Sequence, residues 1–329
     1  MSKPLVSINC ITYNHGNYIA QALEGFLIQK TTFPIEIVIC DDASTDNTAS
    51  IIQEYVDKYP DLIIPLLQSK NQYSQGLKPD FDIVMPRCQG KYVAHCEGDD
   101  YWIDPYKLQK QVDFMEANPE YSFIFNDCEI LDQSSGSRRL RVGDRVIDEV
   151  VDLESVIVQN NVPTASVLHR NILNSNSIPE WFFKTKKGDY CLVILLAEYG
   201  LGKYLSDVMS VYRVHEGGVW SGNDFEYRNK EDIKFFNLLY ENFSDHKVRI
   251  AIKKRLNHCK LDRAFIKIRK GELISGFYMY LRYINLISDK KIQNELKKIL
   301  GAFKSGLLCL VRKLFSNCHT DLKVNKPVV

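Results

Sequence analysis

Three carboxylates lie within four residues in the segment Glu97-Gly98-Asp99-Asp100. Carboxylates this close repel one another unless they are solvated or bind a cation, and their hard oxygen atoms suit Mg²⁺ or Mn²⁺. On composition alone, the segment is equally typical of an exposed acidic turn. It follows the apolar run Tyr92–Cys96, and ligands of parallel α/β sheets bind beyond the carboxyl ends of the strands. This position favours a cation site.

A second acidic segment, Asp41–Thr48, follows the apolar run Ile35–Cys40. Its later part, Ser44–Asn47, is a natural N-terminal cap for the helix that comes next. Capping does not explain the preceding acids Asp41 and Asp42. A carboxylate at this place can accept the imide N–H of a uracil base, which has one donor between two carbonyls.

A third polar segment, Thr12–Asn17, closes the first apolar run. Tyr13 could stack on a nucleobase, because aromatic faces are good platforms for bases. A turn with a packed aromatic ring explains this segment equally well. No glycine-rich dinucleotide fingerprint or P-loop follows an early strand, which weakens a dinucleotide or P-loop interpretation.

Apolar runs alternate with helical stripes over the first half of the chain, which predicts an α/β fold with a parallel, doubly wound sheet. The three polar segments then belong at one edge of that sheet, where the strands end. The predicted strands are Leu5–Ile11, Ile35–Cys40, Leu62–Leu67, Tyr92–Cys96 and Tyr121–Cys128. The predicted helices are Asn17–Ile28, Asp46–Tyr59, Lys78–Cys88, which Pro86 interrupts, and one that starts at Asp104-Pro105.

Residues 5–130 closely resemble family 2 glycosyltransferases of the GT-A fold, especially bacterial enzymes that build O-antigen, capsule or other surface polysaccharides. The resemblance extends more weakly to about residue 220. It implies a Rossmann-like, mostly parallel sheet flanked by helices. It also implies an inverting transfer of a sugar from a nucleotide diphosphate donor, a UDP-sugar, to an acceptor hydroxyl. Four ordered motifs carry it: Val6-Ser7 with Thr12-Tyr13-Asn14, Glu36–Asp46, Gly90-Lys91-Tyr92 with Glu97–Asp100, and Pro105–Gln111.

The resemblance also implies roles for four residues of these motifs. Tyr13 matches the aromatic residue that stacks on the uracil, and Asp42 matches the acid that bonds the base. Asp99 matches the acid of the DxD motif that binds Mn²⁺ or Mg²⁺. The first acid of that motif is commonly Asp, whereas this chain has Glu97, whose longer side chain could reach a ribose hydroxyl or the metal.

Farther along, the resemblance points to three more residues. Asp189 stands where the family has its general base, although an acid here is also typical of a helix cap. Arg213 and His215 lie in a segment similar to the family's C-terminal loop, which approaches the metal and the diphosphate. We therefore predict that Arg213 contacts the donor, since guanidinium groups fit phosphate, and that His215 binds the metal.

Composition limits the class of protein. Hydrophobic residues make up 45% of the 329 residues and charged residues 25%, as in ordinary globular proteins. No apolar run reaches the roughly 18 residues that cross a bilayer, and no signal peptide precedes the first strand, so a cytoplasmic location is expected. The nine cysteines include no CxxC pair, which predicts reduced, buried thiols.

Charge divides the chain unevenly. Residues 247–329 contain 20 basic and five acidic residues, whereas residues 1–246 contain 22 basic and 36 acidic residues. We therefore predict a catalytic domain over residues 1–225 and a helical, basic region over residues 226–329. Apolar residues of Ile299–Phe315 have helical spacing among basic residues, which is typical of a helix on an anionic membrane surface.

Alternatives remain for the basic region and for the function. The apolar stripe of Ile299–Phe315 could instead pack on the catalytic domain or on a second subunit of a homo-oligomer. Nucleic acid is disfavoured as a partner because no recognisable binding module accompanies the charge. The acceptor is expected to be a lipid-linked saccharide. A catalytically silent GT-A scaffold is the main functional alternative, and a sugar nucleotidyltransferase is a weaker one because the glycine-rich loop is missing.

Overall fold

The computed structural model describes residues 3–143, 148–173, 178–218 and 223–284. These residues form two compact units. Those that fall within Met1–Val156 and Asn161–Glu216 form the first, and those that fall within Ile157–Asn160 or after Glu216 form the second. The division that we predicted at residue 225 remains a prediction.

A ten-stranded sheet forms the centre of the first unit, as far as the structure describes it. The strands lie in the order β3-β2-β1-β4-β9-β6-β10-β5, with β7 beside β6 and β8 beside β10. They are β1 (Val6–Thr12), β2 (Ile35–Asp41), β3 (Ile63–Leu67), β4 (Tyr92–His95), β5 (Tyr101–Trp102), β6 (Tyr121–Asp132), β7 (Arg138–Leu140), β8 (Val150–Val151), β9 (Leu168–Arg170) and β10 (Leu201–Val214).

Most paired residues of the sheet lie in parallel strand pairs, as predicted. β1 pairs in parallel with β2 and β4, β2 pairs in parallel with β3, and β6 pairs in parallel with β10. β9 runs antiparallel between β4 and β6, and β5, β7 and β8 are short antiparallel additions. β1 and β2 are buried on both faces, which explains their continuous apolar sequences.

Helices cover the sheet of the first unit. They are α1 (Ile19–Leu27), α2 (Thr48–Lys58), α3 (Lys107–Ala117), α5 (Glu180–Phe183) and α6 (Gly188–Tyr199). A short helix, α4 (Leu153–Val158), begins in the first unit and ends in the second. α1 packs very close to β5, because a Cβ atom at Gly25 would lie 2.8 Å from the backbone nitrogen of Trp102. This contact fixes the chain just after the acidic loop, which we define as residues 97–100.

Two predicted helices differ from the structure. The segment predicted as the helix Lys78–Cys88 is a single π-helical turn, Asp80–Val84, followed by a 3₁₀ turn. Pro86 explains the difference, because it has no N–H to donate and its ring clashes with a preceding carbonyl in an α-helix. α3 begins at Lys107 rather than at Asp104, since the Asp104 carboxylate bonds the Tyr106 N–H at 2.8 Å and forms a turn there.

Three helices make up most of the second unit that the structure describes: α7 (Phe225–Asn242), α8 (His246–Arg269) and α9 (Leu273–Ile284). The Asp224 and Asp245 side chains cap α7 and α8 by accepting backbone N–H groups. No described helix is long and apolar enough to span a membrane. The predicted amphipathic segment Ile299–Phe315 lies outside the described residues.

Candidate active site

The acidic loop lies at the carboxyl edge of the parallel strands. Gly98 donates its N–H to the Ile11 carbonyl at 2.9 Å, which ties the loop to the end of β1. A Cβ atom at Gly98 would lie 2.7 Å from Thr12 Oγ1, so only glycine permits this approach. The loop therefore sits beside the end of β1, at the edge where ligands of such sheets bind.

Two histidines from distant parts of the chain lie beside Asp99, and one of them bonds it. His215 Nε2 lies 2.9 Å from Asp99 Oδ2, and His15 Nε2 lies 3.8 Å from the same oxygen. Burial raises the pKa of Asp99, but the hydrogen bond from His215 and the nearby charge of His15 outweigh burial, and the pKa is lowered overall. Asp99 Oδ1 is buried and accepts no hydrogen bond from the described residues.

His15 owes its position to two clamps between the loops after β1 and β2. On one side, Asn14 adopts a positive φ of 56°, and its side chain accepts the Thr45 N–H at 2.8 Å. On the other side, the Gly16 N–H donates to Asp46 Oδ2 at 2.9 Å. Asn tolerates this left-handed conformation better than most residues. The loop that carries His15 is thus fixed before any ligand binds.

The other two acids of the loop are strongly affected by burial. Burial and the neighbouring Asp99 raise the pKa of Glu97 and of Asp100 well above the ordinary value. Asp100 Oδ1 accepts the Arg213 N–H at 2.8 Å, whereas Asp100 Oδ2 is buried without a hydrogen bond. Glu97, Asp99 and Asp100 each offer an oxygen within 4.8 Å of the others.

These groups fit a divalent cation. Carboxylate ligands suit both Mg²⁺ and Mn²⁺, and imidazole is a common ligand of transition metals. Buried polar atoms normally have hydrogen-bond partners, so the orphaned oxygens of Asp99 and Asp100 are available to a cation or to water. The set His15, Asp99 and His215 also places one possible ligand atom per residue within 4.8 Å of the others.

Arg213 is buried and braces the site. Its guanidinium group donates to the Asp99 carbonyl and to Gln21, and it lies 4.4 Å from the ring centroid of Tyr101 and 5.0 Å from that of Tyr18. Arg213 Nε is buried without a hydrogen bond. The observed contacts support the backbone of the acidic loop, and the predicted contact of Arg213 with the donor remains a prediction.

Asp42 and Tyr13 lie at the same edge of the sheet in different environments. Asp42 is 4% exposed, and its two oxygens accept the N–H groups of Gln72 at 2.6 Å and Tyr73 at 3.0 Å. Each carboxylate oxygen has a second lone pair that a base could use. The Tyr13 side chain is 44% exposed, so its ring face is accessible for stacking.

Asp189 lies in the first turn of α6 and is exposed. The N-cap of this helix is Lys187, so Asp189 does not occupy the cap position itself. Its charge contributes to the raised pKa of Glu97 and of Asp80, so Asp189 lies near both carboxylates. Burial raises the pKa of Asp80 to about 7, with Asp189 adding to the effect.

The structure brings together most of the residues that the sequence singled out. Glu97, Asp99, Arg213 and His215 lie in one cluster, with Asp189 near enough to act on the charge of Glu97. Sequence reasoning assigned no role to His15, although it directly follows Tyr13-Asn14 in the loop between β1 and α1, at the correct edge of the sheet. Asp80 was also missed, because its segment was predicted as an ordinary helix.

Comparisons with known proteins agree with this geometry. Residues 7–173 match the family model described as glycosyl transferase family 2. WfaP of Escherichia coli, a UDP-Glc:alpha-D-GlcNAc-diphosphoundecaprenol beta-1,3-glucosyltransferase, is 31% identical over 242 residues, which cover 71% of this chain and 85% of WfaP. The Mycobacterium tuberculosis protein Rv1520 is 36% identical over 215 residues, and the match spans 65% of this chain but 60% of Rv1520.

Solved structures share the fold at low sequence identity. S. aureus TarS in complex with UDP-GlcNAc matches with a TM-score of 0.57 at 18% identity, over 96% of this chain and 92% of that chain. The mannosyltransferase PcManGT from Pyrobaculum calidifontis, in complex with GDP-Man and Mn²⁺, matches with a TM-score of 0.54 at 14% identity, over 95% of this chain and 86% of that chain. The sheet, the acidic loop at its edge and the family match lead to one conclusion: the chain belongs to glycosyl transferase family 2 and has the GT-A fold.

Proposed function

We propose that the chain transfers a sugar from a UDP-sugar to a hydroxyl group of a saccharide acceptor, with inversion at the anomeric carbon. The observation that carries this proposal is the Asp99–His215 pair at the carboxyl edge of the sheet, with the exposed carboxylate of Asp189 nearby. Two similar proteins support a uridine donor, since WfaP is named for UDP-Glc and TarS was solved with UDP-GlcNAc.

Two residues would recognise the uracil base. The exposed ring of Tyr13 offers a stacking face, and the Asp42 carboxylate offers lone pairs to the imide N–H. The carboxylate already holds Gln72 and Tyr73, so the base would meet a group whose orientation is fixed in advance. Such pre-organisation lowers the entropic cost of binding.

Asp99 and His215 would hold Mn²⁺ or Mg²⁺, and Glu97 would either join them or bond a ribose hydroxyl. When bound, the cation supplies positive charge to the diphosphate as it leaves. The chain's own contribution is the placement of the ligands. Arg213 contributes by bracing the Asp99 carbonyl, so that the carboxylate stays at the sheet edge.

Asp189 would act as the general base. It would accept the proton of the acceptor hydroxyl while that oxygen forms a bond to the anomeric carbon and the bond to the diphosphate oxygen breaks. One displacement of this kind inverts the anomeric centre without a covalent enzyme intermediate. Asp189 suits the role because it is exposed to an incoming acceptor and lies in the first turn of α6.

The acceptor would be lipid-linked, and the second unit would bind the cytoplasmic face of an anionic inner membrane. WfaP, whose name specifies a diphosphoundecaprenol-linked acceptor, supports the first point. Charge supports the second, because residues 247–284 contain 11 basic and two acidic residues. Ile274 and Tyr278 on α9 are 89% and 69% exposed, one helical turn apart, and Arg282 follows at the same spacing.

Vesicle binding tests the membrane proposal. The full chain should co-sediment with vesicles that contain phosphatidylglycerol and not with vesicles of phosphatidylcholine alone, and added salt should weaken the binding. Replacing Ile274 and Tyr278 by serine should reduce it. Equal binding to both vesicle types, or no binding, would count against a membrane role and leave packing on a second subunit as the alternative.

A donor screen combined with two variants tests the catalytic proposal. UDP- and GDP-sugars are offered with Mn²⁺ or Mg²⁺, and hydrolysis and transfer are measured. Asp189→Asn should lower kcat by about 10²- to 10⁴-fold, because a general base contributes that much, and should leave donor binding intact. Asp99→Ala should abolish turnover. Glu180→Gln, which changes an exposed acid in the first turn of α5, is the matched control and should retain full activity.

Three outcomes of this screen would contradict the proposal. Full activity of Asp99→Ala would remove the metal role. Binding of UDP with no hydrolysis or transfer, across a broad panel of donors and acceptors, would favour a catalytically silent scaffold. Release of pyrophosphate from a sugar 1-phosphate and a nucleoside triphosphate would identify a nucleotidyltransferase instead.

A further inference from the structure

We propose that His15 is a third protein ligand of the divalent cation, together with Asp99 and His215, and that it gives the site a preference for Mn²⁺ over Mg²⁺. This inference rests on the proposed function, because it concerns the same cation. It adds a residue from the loop after β1 to a site that the acidic loop and the end of β10 would otherwise build alone.

The distances from Asp99 to the two histidines are close to the spacing of ligands around one ion. Ligand atoms at about 2.1 Å from a cation are about 3.0 Å apart at right angles and about 3.4 Å apart at a tetrahedral angle. His215 Nε2 lies 2.9 Å and His15 Nε2 lies 3.8 Å from Asp99 Oδ2. All three residues offer ligand atoms within 4.8 Å of one another. Only small side-chain movements would therefore close the set around an ion.

His15 lacks the contacts of a histidine with a purely structural role. The 3.8 Å separation from Asp99 is too long for a hydrogen bond, and His15 Nδ1 is buried with no hydrogen-bond partner among the described residues. Burying an imidazole without such partners is unfavourable, so most buried histidines bond a carbonyl, a carboxylate or a ligand. A cation at Asp99 would give His15 Nε2 a partner, while Nδ1 would still lack one among the described residues.

The position of His15 is built into the fold rather than left to an exposed loop. Its backbone carbonyl accepts the N–H groups of Tyr18 and Ile19 at 2.8 Å, at the start of α1. Its ring meets the His215 ring edge to face, with 6.2 Å between the centroids. Together with the clamps at Asn14 and Gly16, these contacts hold the imidazole beside Asp99 in the absence of an ion.

Two imidazoles and one carboxylate determine which cation such a site prefers. Mg²⁺ is bound mainly through carboxylates, phosphates and water, whereas Mn²⁺ and the later transition metals accept imidazole nitrogen more readily. A site with His215 alone would discriminate weakly between Mn²⁺ and Mg²⁺. The addition of His15 should make the preference for Mn²⁺ stronger.

Direct metal binding tests this inference without any measurement of turnover. Mn²⁺ is titrated into the full chain, with and without saturating UDP, and free Mn²⁺ is followed by EPR, while Mg²⁺ affinity is measured by competition. His15→Phe should weaken Mn²⁺ binding at least about tenfold. Even the loss of a residue that only hydrogen-bonds to a metal ligand lowers metal affinity by that much. Mg²⁺ affinity should change less. Pulsed EPR of bound Mn²⁺ should show fewer coupled ¹⁴N nuclei than in the wild type.

Controls separate this inference from other roles of His15. His246→Phe replaces an exposed histidine at the start of α8 and should bind Mn²⁺ like the wild type. His15→Ala is the second variant if His15→Phe does not fold. Wild-type Mn²⁺ affinity and unchanged nitrogen coupling in a folded His15 variant would overturn the proposal. So would a defect in UDP binding alone, because His15 would then contact the diphosphate.

Asp99→Asn distinguishes the two proposals. If this variant loses Mn²⁺ binding and the His15 variants keep it, the proposal that His15 is a ligand is wrong and the metal role of Asp99 stands. If Asp99→Asn binds Mn²⁺ like the wild type, the metal part of the proposed function fails as well.

Discussion

Asp42 offers a sharp test of how the nucleotide end of the site is built. Its buried carboxylate holds the segment after β3 through the N–H groups of Gln72 and Tyr73, at 2.6 and 3.0 Å. Asp42→Asn changes one oxygen into an NH₂ group. In either orientation of the amide, one of the two backbone N–H groups then faces a donor instead of an acceptor.

The expected cost follows from the two hydrogen bonds. A hydrogen bond to a charged group contributes about 1.5 to 3 kcal/mol, and a buried donor without a partner costs about 1 to 3 kcal/mol. We therefore expect the segment that carries Gln72 and Tyr73 to lose about 3 kcal/mol of local stability. Because each 1.4 kcal/mol corresponds to a factor of ten, hydrogen exchange at these two amides should accelerate about a hundredfold.

Hydrogen exchange and UDP titration are the assays. Asp61→Asn, which changes an exposed acid between α2 and β3, is the matched control and should leave both measurements unchanged. If Asp42 also bonds the base, UDP affinity should fall in Asp42→Asn. Wild-type exchange at Gln72 and Tyr73 in the variant would refute our reading of the carboxylate as the group that holds this segment.

Two further predictions concern the interior of the first unit. Burial lowers the pKa of Lys107 from 10.5 to about 7. Between these two pH values the unfolded chain therefore binds a proton that the folded chain does not. The free energy of unfolding should rise with pH by at most ~1.4 kcal/mol per pH unit. Urea unfolding of the wild type and of Lys107→Met at pH 7.5 and 9.5 checks this. The free energy of unfolding should rise less between the two pH values in Lys107→Met than in the wild type, and an equal rise would contradict the prediction. Gly98→Ala should destabilise the protein by about 1 to 3 kcal/mol, since its Cβ atom would meet Thr12 Oγ1 at 2.7 Å. Gly188→Ala, whose nearest neighbour would be 3.8 Å away, should unfold at nearly the wild-type temperature, and equal losses in both variants would argue against the clash.

The sequence predicted the sheet and the edge at which the site lies. Continuous apolar runs in β1 and β2 indicate strands buried on both faces, and their alternation with helices leaves few arrangements other than a parallel sheet. Polar segments that follow such strands must then meet at one edge. For this reason the neighbourhood of Tyr13, Asp42 and Asp99 could be predicted from local patterns alone.

Sequence reasoning was weaker where local signals compete. The π-helical turn after β3 resembles an ordinary helix in its apolar spacing, and Pro86 alone did not show which irregular form would replace it. The start of α3 was misplaced because the bond from the Tyr106 N–H to Asp104 forms a turn that precedes the first helical residue, Lys107.

Only the tertiary structure decided which side chains share the Asp99 carboxylate. His15 and His215 are 200 positions apart in the chain, and they meet because β10 pairs with β6 and β5 and so ends beside the acidic loop. Likewise, only packing showed that Arg213 is buried against Tyr101 and braces the loop. Sequence periodicity determines which face of an element is buried, but the contacts between elements depend on strand order and side-chain packing, which no local pattern encodes.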